Sequence, residues 1–64
     1  MTLDLHGVKH EDVEKVVENT ILLGTPPFRI ITGNSVRMKQ LVLQVLDKHH
    51  YTERSDFGTS IVTQ

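Results

Sequence analysis

Apolar and polar positions alternate at the start of the chain and then change period. Leu3-Asp4-Leu5-His6-Gly7 has a period of two, the pattern of a strand that anchors Leu3 and Leu5 in a core while Asp4 and His6 share the opposite face. Beyond Val8 the period lengthens. Val13, Val16, Val17, Thr20 and Ile21 recur at helical spacing up to Gly24, and Glu11, Asp12 and Glu14 put negative charge in the first turns, where the helix dipole favours it. Gly24 predicts a C-terminal cap, and Thr25-Pro26-Pro27 bars continuation. Phe28-Arg29-Ile30-Ile31-Thr32 predicts a short strand closed by Gly33-Asn34. A second helix follows, with Met38, Leu41, Val42, Val45 and Leu46 on one face, Ser35 as N-cap, and Lys48, His49 and His50 where cations suit a C-terminus. The remainder predicts a weak strand over Tyr51 to Arg54, a turn over Ser55 to Gly58 and a strand over Thr59 to Thr63.

The resulting order is βαβαββ. Strands that alternate with amphipathic helices pair in parallel through right-handed crossovers. The expected fold is a single α/β domain over residues 1–64: a two-layer sandwich with a mixed four-stranded sheet, both helices on one face, and the last strand antiparallel to its neighbour. A domain of this size buries only about 60% of the surface its unfolded chain exposes. Its core must be efficient, or a copy of itself or a larger host complex must cover the open sheet face.

Composition narrows the chemistry. The chain has no cysteine, which excludes a disulfide framework, a thiolate nucleophile and a cysteine zinc site. Ile21-Leu22-Leu23 is far too short to span a bilayer, and the N-terminus lacks the blocks of a signal peptide, so the expectation is a soluble, cytoplasmic protein with no membrane partner. A net charge of -1 excludes binding nucleic acid through bulk positive charge. The charge is uneven, however. Residues 1–24 set Lys9 and Lys15 against Asp4, Glu11, Asp12, Glu14 and Glu18, a formal -3, whereas residues 25–64 carry Arg29, Arg37, Lys39, Lys48 and Arg54 against Asp47, Glu53 and Asp56, a formal +2.

If the first two strands are parallel, their C-terminal ends lie side by side, which is where open α/β sheets place ligands. His6-Gly7 and Thr32-Gly33-Asn34-Ser35 then converge on one edge. Gly33 permits a tight turn, and the free amides at the start of the second helix form an anion site to which Arg37 and Lys39 add positive charge. Arg29 is expected on the open sheet face. His6 suits general acid-base work near neutral pH, with Asp4 orienting it, and the same spacing also describes a polar pair that hydrogen-bonds locally and steadies the turn. Thr32 is either a hydroxyl donor to phosphate or a β-branched residue ending a strand. Ser35 reads as a cap rather than a nucleophile, and His10 as a solvated residue. Tyr51 and Phe57 offer stacking on bases or packing in the protein. Adjacent on a helix, His49 and His50 point about 100° apart and do not chelate together. No resident metal or cofactor is expected, the one metal role left open being Mg²⁺ recruited by a carboxylate together with substrate phosphate.

LDLHG, an acidic amphipathic helix, an apolar strand ending in ITG, the helix RMKQLVLQVL and a closing GTSIV strand together resemble the Smr (small MutS-related) domain across essentially the whole chain. The resemblance implies nucleic-acid cleavage, with RNA favoured over DNA, through an LDxH-type element at Leu3-Asp4-Leu5-His6, followed by Gly7, and a TGxG-type loop at Thr32 and Gly33. Where that family shows a second glycine, this chain has Ser35, and the loop is shortened. The first expectation is therefore an endonuclease using His6 and Asp4, with phosphate held by Gly7, Thr32, Gly33, Asn34, Ser35, Arg37, Lys39 and Arg29. A second is a binding module that holds nucleic acid without cutting. A third is a small interaction or structural domain.

Overall fold

The computed structural model describes residues 1–56 and 59–63, with Ser55 and Asp56 described by backbone alone. Four strands and two helices follow in the expected order: β1 (Thr2–Asp4), α1 (His10–Leu23), β2 (Arg29–Ile31), α2 (Val36–Lys48), β3 (Glu53–Asp56) and β4 (Ser60–Thr63). The fold is α/β with a mixed four-stranded sheet in the order β1-β2-β4-β3.

β1 and β2 are parallel, Leu3 opposite Ile30, and β4 lies antiparallel between β2 and β3, with Ile61 opposite both Ile30 and Ser55. Two antiparallel pairings in succession make β3 parallel to β2. Each helix is thus a crossover between parallel strands, both taken in the same direction across the sheet. α1 and α2 lie against one another, and alternate residues of the central strand are buried and exposed, Ile30 fully buried and Arg29 out in solvent.

The core is built from the positions that the periodicity picks out. Val13, Val17 and Ile21 of α1 and Met38, Val42, Val45 and Leu46 of α2 pack over Leu5, Phe28, Ile30 and Ile61, while Val16 and Leu41 are half-buried at its margin. Tyr51 meets Phe28 edge to face, ring centroids 5.7 Å apart and planes at 80°, which assigns it to packing within the protein. Ser35 caps α2 as expected, its Oγ accepting the Met38 amide at 3.1 Å. Lys48 Nζ and His49 Nε2 lie 3.6 and 3.5 Å from Glu18 Oε2, joining the two helices at the rim.

Gly24 caps α1 as expected, its amide donating to Thr20 O at 2.8 Å from an extended backbone (φ -99°). Space explains the glycine: a Cβ there would collide with Met1 Sδ, the Thr20 carbonyl and Phe28 Cε1. The bounds of two strands are corrected. The third strand runs Glu53–Asp56, not Tyr51 to Arg54, so Ser55 and Asp56 are strand residues and not turn residues. β2 is confined to Arg29–Ile31, although hydrogen bonds to the last strand continue past both of its ends, Thr63 N to Phe28 O and Thr32 N to Thr59 O, each 2.9 Å. Phe57 and Gly58, part of the expected turn, lie outside the described residues. Among the described residues, no helix is long and apolar enough to cross a membrane.

At the junction of α2 and β3, Glu53 Oε2 is buried with no hydrogen-bond partner among the described residues. Burial, first, and then the hydrogen bond and negative charge of nearby Asp47 raise the Glu53 carboxyl above its usual value of 4.5.

Candidate functional site

β1 ends at Asp4, yet the chain holds the sheet for one residue more. Leu5 is buried, and its amide donates to Ile31 O at 3.0 Å. The chain then reverses over Leu5-His6-Gly7-Val8, closed by Val8 N to Leu5 O at 3.0 Å, with Gly7 at φ +81°. Of the two central residues, only Gly7 has a positive φ, which makes this a type II turn, and glycine is the residue that takes its third position without strain. His6 is therefore not a strand residue sharing a face with Asp4. It is the second residue of a turn, exposed to solvent.

Asp4 does reach His6, by a different route from the one expected. Its Oδ1 accepts the backbone N–H of His6 at 2.8 Å. Among the described residues the His6 imidazole has no hydrogen-bond or ion-pair partner, so the ring is held by its backbone and not by a carboxylate.

The second motif is also a turn that needs its glycine: Gly33 has φ +66°. Its polar groups face inward. Thr59 O accepts the Thr32 amide at 2.9 Å and the Gly33 amide at 3.0 Å. The buried Thr32 hydroxyl lies 3.1 Å from Gly33 O and 3.3 Å from Thr59 O. The Thr32 hydroxyl and Gly33 amide expected to meet a phosphate are thus occupied within the protein. Asn34 is exposed, and the Ser35 hydroxyl serves the α2 cap. Lys39 N is bonded to Ser35 O at 3.1 Å, and by helix geometry the amides of Val36 and Arg37 have no acceptor within α2.

The two turns do converge. Asp4, His6 and Gly7 from one side and Thr32 and Gly33 from the other line a shallow open depression of about 290 Å³ floored by Leu5, Ile31 and Met38. Among the described residues, no arginine or lysine lines it. Met38 alone of the first α2 turn reaches it, and Arg37 and Lys39, its neighbours in sequence, project about 100° to either side. Arg29 is at the other end of β2, four residues before Gly33 and roughly 13 Å along the strand direction. There it lies beside Met1, Thr2, Pro27, Phe28 and Val62, and its Nη1 is 3.3 Å from Ser60 Oγ. Among the described residues, no three His, Asp or Glu side chains are grouped to hold a metal ion.

Two contributors escape a reading of the sequence. Met38 reads as core by its spacing and is both core and floor of the depression. Thr59, whose carbonyl holds the second turn, is 27 residues from Thr32, and no local pattern connects them. Comparison with known protein families, with curated proteins and with solved structures returned no match.

Proposed function

We propose that this domain acts on nucleic acid in the cytoplasm, RNA in preference to DNA, as an endonuclease in which His6 is the acid-base group. The observation that supports this reading is the exposed His6 ring, free of protein partners among the described residues, on the rim of a depression whose other wall is the Thr32-Gly33 turn. The motif resemblance at Leu3-Asp4-Leu5-His6 points the same way. In the reaction, neutral His6 takes the proton of a 2'-hydroxyl, and the 2'-oxygen attacks the adjacent phosphorus. The bond to the 5'-oxygen breaks, and that oxygen takes a proton from water. The α2 amides of Val36 and Arg37 supply the donors for the developing charge.

One observation favours the non-cutting alternative. The Gly33 amide is spent on Thr59, and among the described residues no basic side chain lines the depression, so the donors for a transition state are fewer than the motif implies. A domain that binds nucleic acid without cleaving it fits the same groups.

Labelled RNA and single- and double-stranded DNA, incubated with the purified chain with and without EDTA, separate these readings. His6→Ala is expected to lower RNA cleavage by about 10²–10⁴-fold while leaving the fold intact. The EDTA arm tests whether Mg²⁺, recruited by Asp4 and substrate phosphate, takes part. An inert wild-type chain, or equal cleavage by His6→Ala, ends the nuclease reading. Binding at low salt without cleavage puts the binding module in its place.

A further inference from the structure

Asp4 and His6 form a pair in the sequence, and the obvious role for a carboxylate beside a working histidine is to bind the ring and stabilise its charged form. The geometry points to a different division of labour: we infer that Asp4 is a positioning residue that acts through the main chain, holding the His6 amide so that the turn presents the imidazole outward. The inference takes His6 as the working group of the site proposed above, but its test needs no cleavage.

Four observations carry it. The only hydrogen bond between the two residues among those described runs from the His6 N–H to Asp4 Oδ1, at 2.8 Å, and no ion pair joins the carboxylate to the ring. This is an Asx turn, in which a short acceptor caps the amide two residues on. Leu5 between them is fixed independently, buried and bonded through its amide to Ile31 O at 3.0 Å. Gly7 and the Val8 N to Leu5 O bond set the turn on the far side of His6. The second residue of a type II turn has no backbone acceptor for its own N–H, so without Asp4 that amide has only water to bond. His6 is thus bracketed by one bond on each side, and its ring is left free.

The two roles make opposite demands on position 4. A main-chain cap needs an oxygen at the right reach and does not need a charge; asparagine supplies it, and glutamate, one methylene longer, does not. A ring partner needs the negative charge, which glutamate keeps and asparagine lacks. Asp4→Asn and Asp4→Glu therefore rank in opposite order under the two roles.

The test is amide hydrogen exchange at His6 together with titration of its ring protons by NMR, on the full chain and on Asp4→Asn, Asp4→Glu and Asp4→Ala. Exchange of the His6 amide is expected to stay slow in wild type and Asp4→Asn, and to rise about tenfold in Asp4→Glu and Asp4→Ala. The ring's titration midpoint is expected to move little in Asp4→Asn. A fall of about one unit in that midpoint in Asp4→Asn, or a His6 amide no slower in wild type than in Asp4→Ala, overturns the inference. If RNA is cleaved, activity should fall about 10²-fold further in Asp4→Glu than in Asp4→Asn. Should Asp4→Ala fail to fold, the contrast between Asn and Glu still decides. An inert wild-type protein with the expected exchange pattern would remove the nuclease reading and leave the positioning role standing.

Discussion

The two glycine turns that face each other across the depression are built on opposite plans. Leu5-His6-Gly7-Val8 is closed by its own atoms and those of Asp4 next door, and it turns a side chain outward. The turn at Thr32-Gly33 is tied from outside, by one carbonyl of a residue 27 positions later, and it turns its amides inward. A self-contained turn can offer its functional group to a ligand at little cost to the rest of the fold. A turn that doubles as a junction between β2 and β4 has already committed its donors. This contrast explains why the first motif keeps an available histidine while the second offers a phosphate so little, and it places the remaining donors at the start of α2.

The largest expected effect is at the tethered turn. Thr32→Val keeps shape but removes a buried hydroxyl that lies between two carbonyls, and should cost about 1–3 kcal/mol in urea unfolding. Its effect should reach the bonds to Thr59, read as faster amide exchange at Thr32 and Gly33. A Thr32→Val protein as stable as wild type would show that the hydroxyl is no part of the tether.

Next come the glycines themselves. A Cβ on Gly7 or Gly33 would meet nothing within 4 Å, so alanine at either position is penalised only through its positive φ, by about 1–2 kcal/mol. The comparison predicts similar losses of stability and different reach: Gly7→Ala should disturb amides of residues 5–8 alone, and Gly33→Ala should also disturb the start of β4. Equal spread of the chemical-shift changes in the two variants would erase the distinction between a local turn and a junction.

The smallest effect concerns the far end of the sheet. Because Glu53 is held above its usual value by burial and by Asp47, the folded chain binds its proton more tightly than the unfolded one. Its contribution to stability is full below the ordinary carboxylate pKa and is lost as pH rises through the raised value. Glu53→Gln should therefore stabilise the fold modestly at neutral pH, with the advantage over wild type shrinking toward pH 4. Thermal melts at several pH values check this. A constant difference across the range would show that the glutamate's charge is not the cause.

What the sequence discloses follows the same local-versus-distant division. The helical repeats place Val13, Val17, Ile21, Val42, Val45 and Leu46 in the core, and Ser35 lies at the cap that its position predicts. Leu3-Asp4-Leu5 alternates as a strand should, and the convergence of His6 with Gly33 follows from parallel pairing alone. By contrast, Tyr51-Thr52-Glu53-Arg54 carries no alternation, because an edge strand with one neighbour is under little pressure to keep one, and β3 began two residues later than expected. The insertion of β4 beside β2, and with it the Thr59 carbonyl under Thr32, depends on pairings between distant segments that no short window contains. Asp4 lies between these cases: its proximity to His6 was legible, but the turn that brings the His6 amide to its carboxylate, and not the ring, was not.

The strand order also governs how the molecule can come apart. β4 comes last in chain order among the four strands and occupies an interior place in the sheet, between β2 and β3. The parallel pair β1-β2 thus has an open flank until residues 60–63 arrive, and β3 has no sheet to join without them. Closing this sheet from β1 to β3 therefore waits on its last strand, and thermal unfolding followed by sheet and helix signals is expected to show one shared transition, as small single domains usually do.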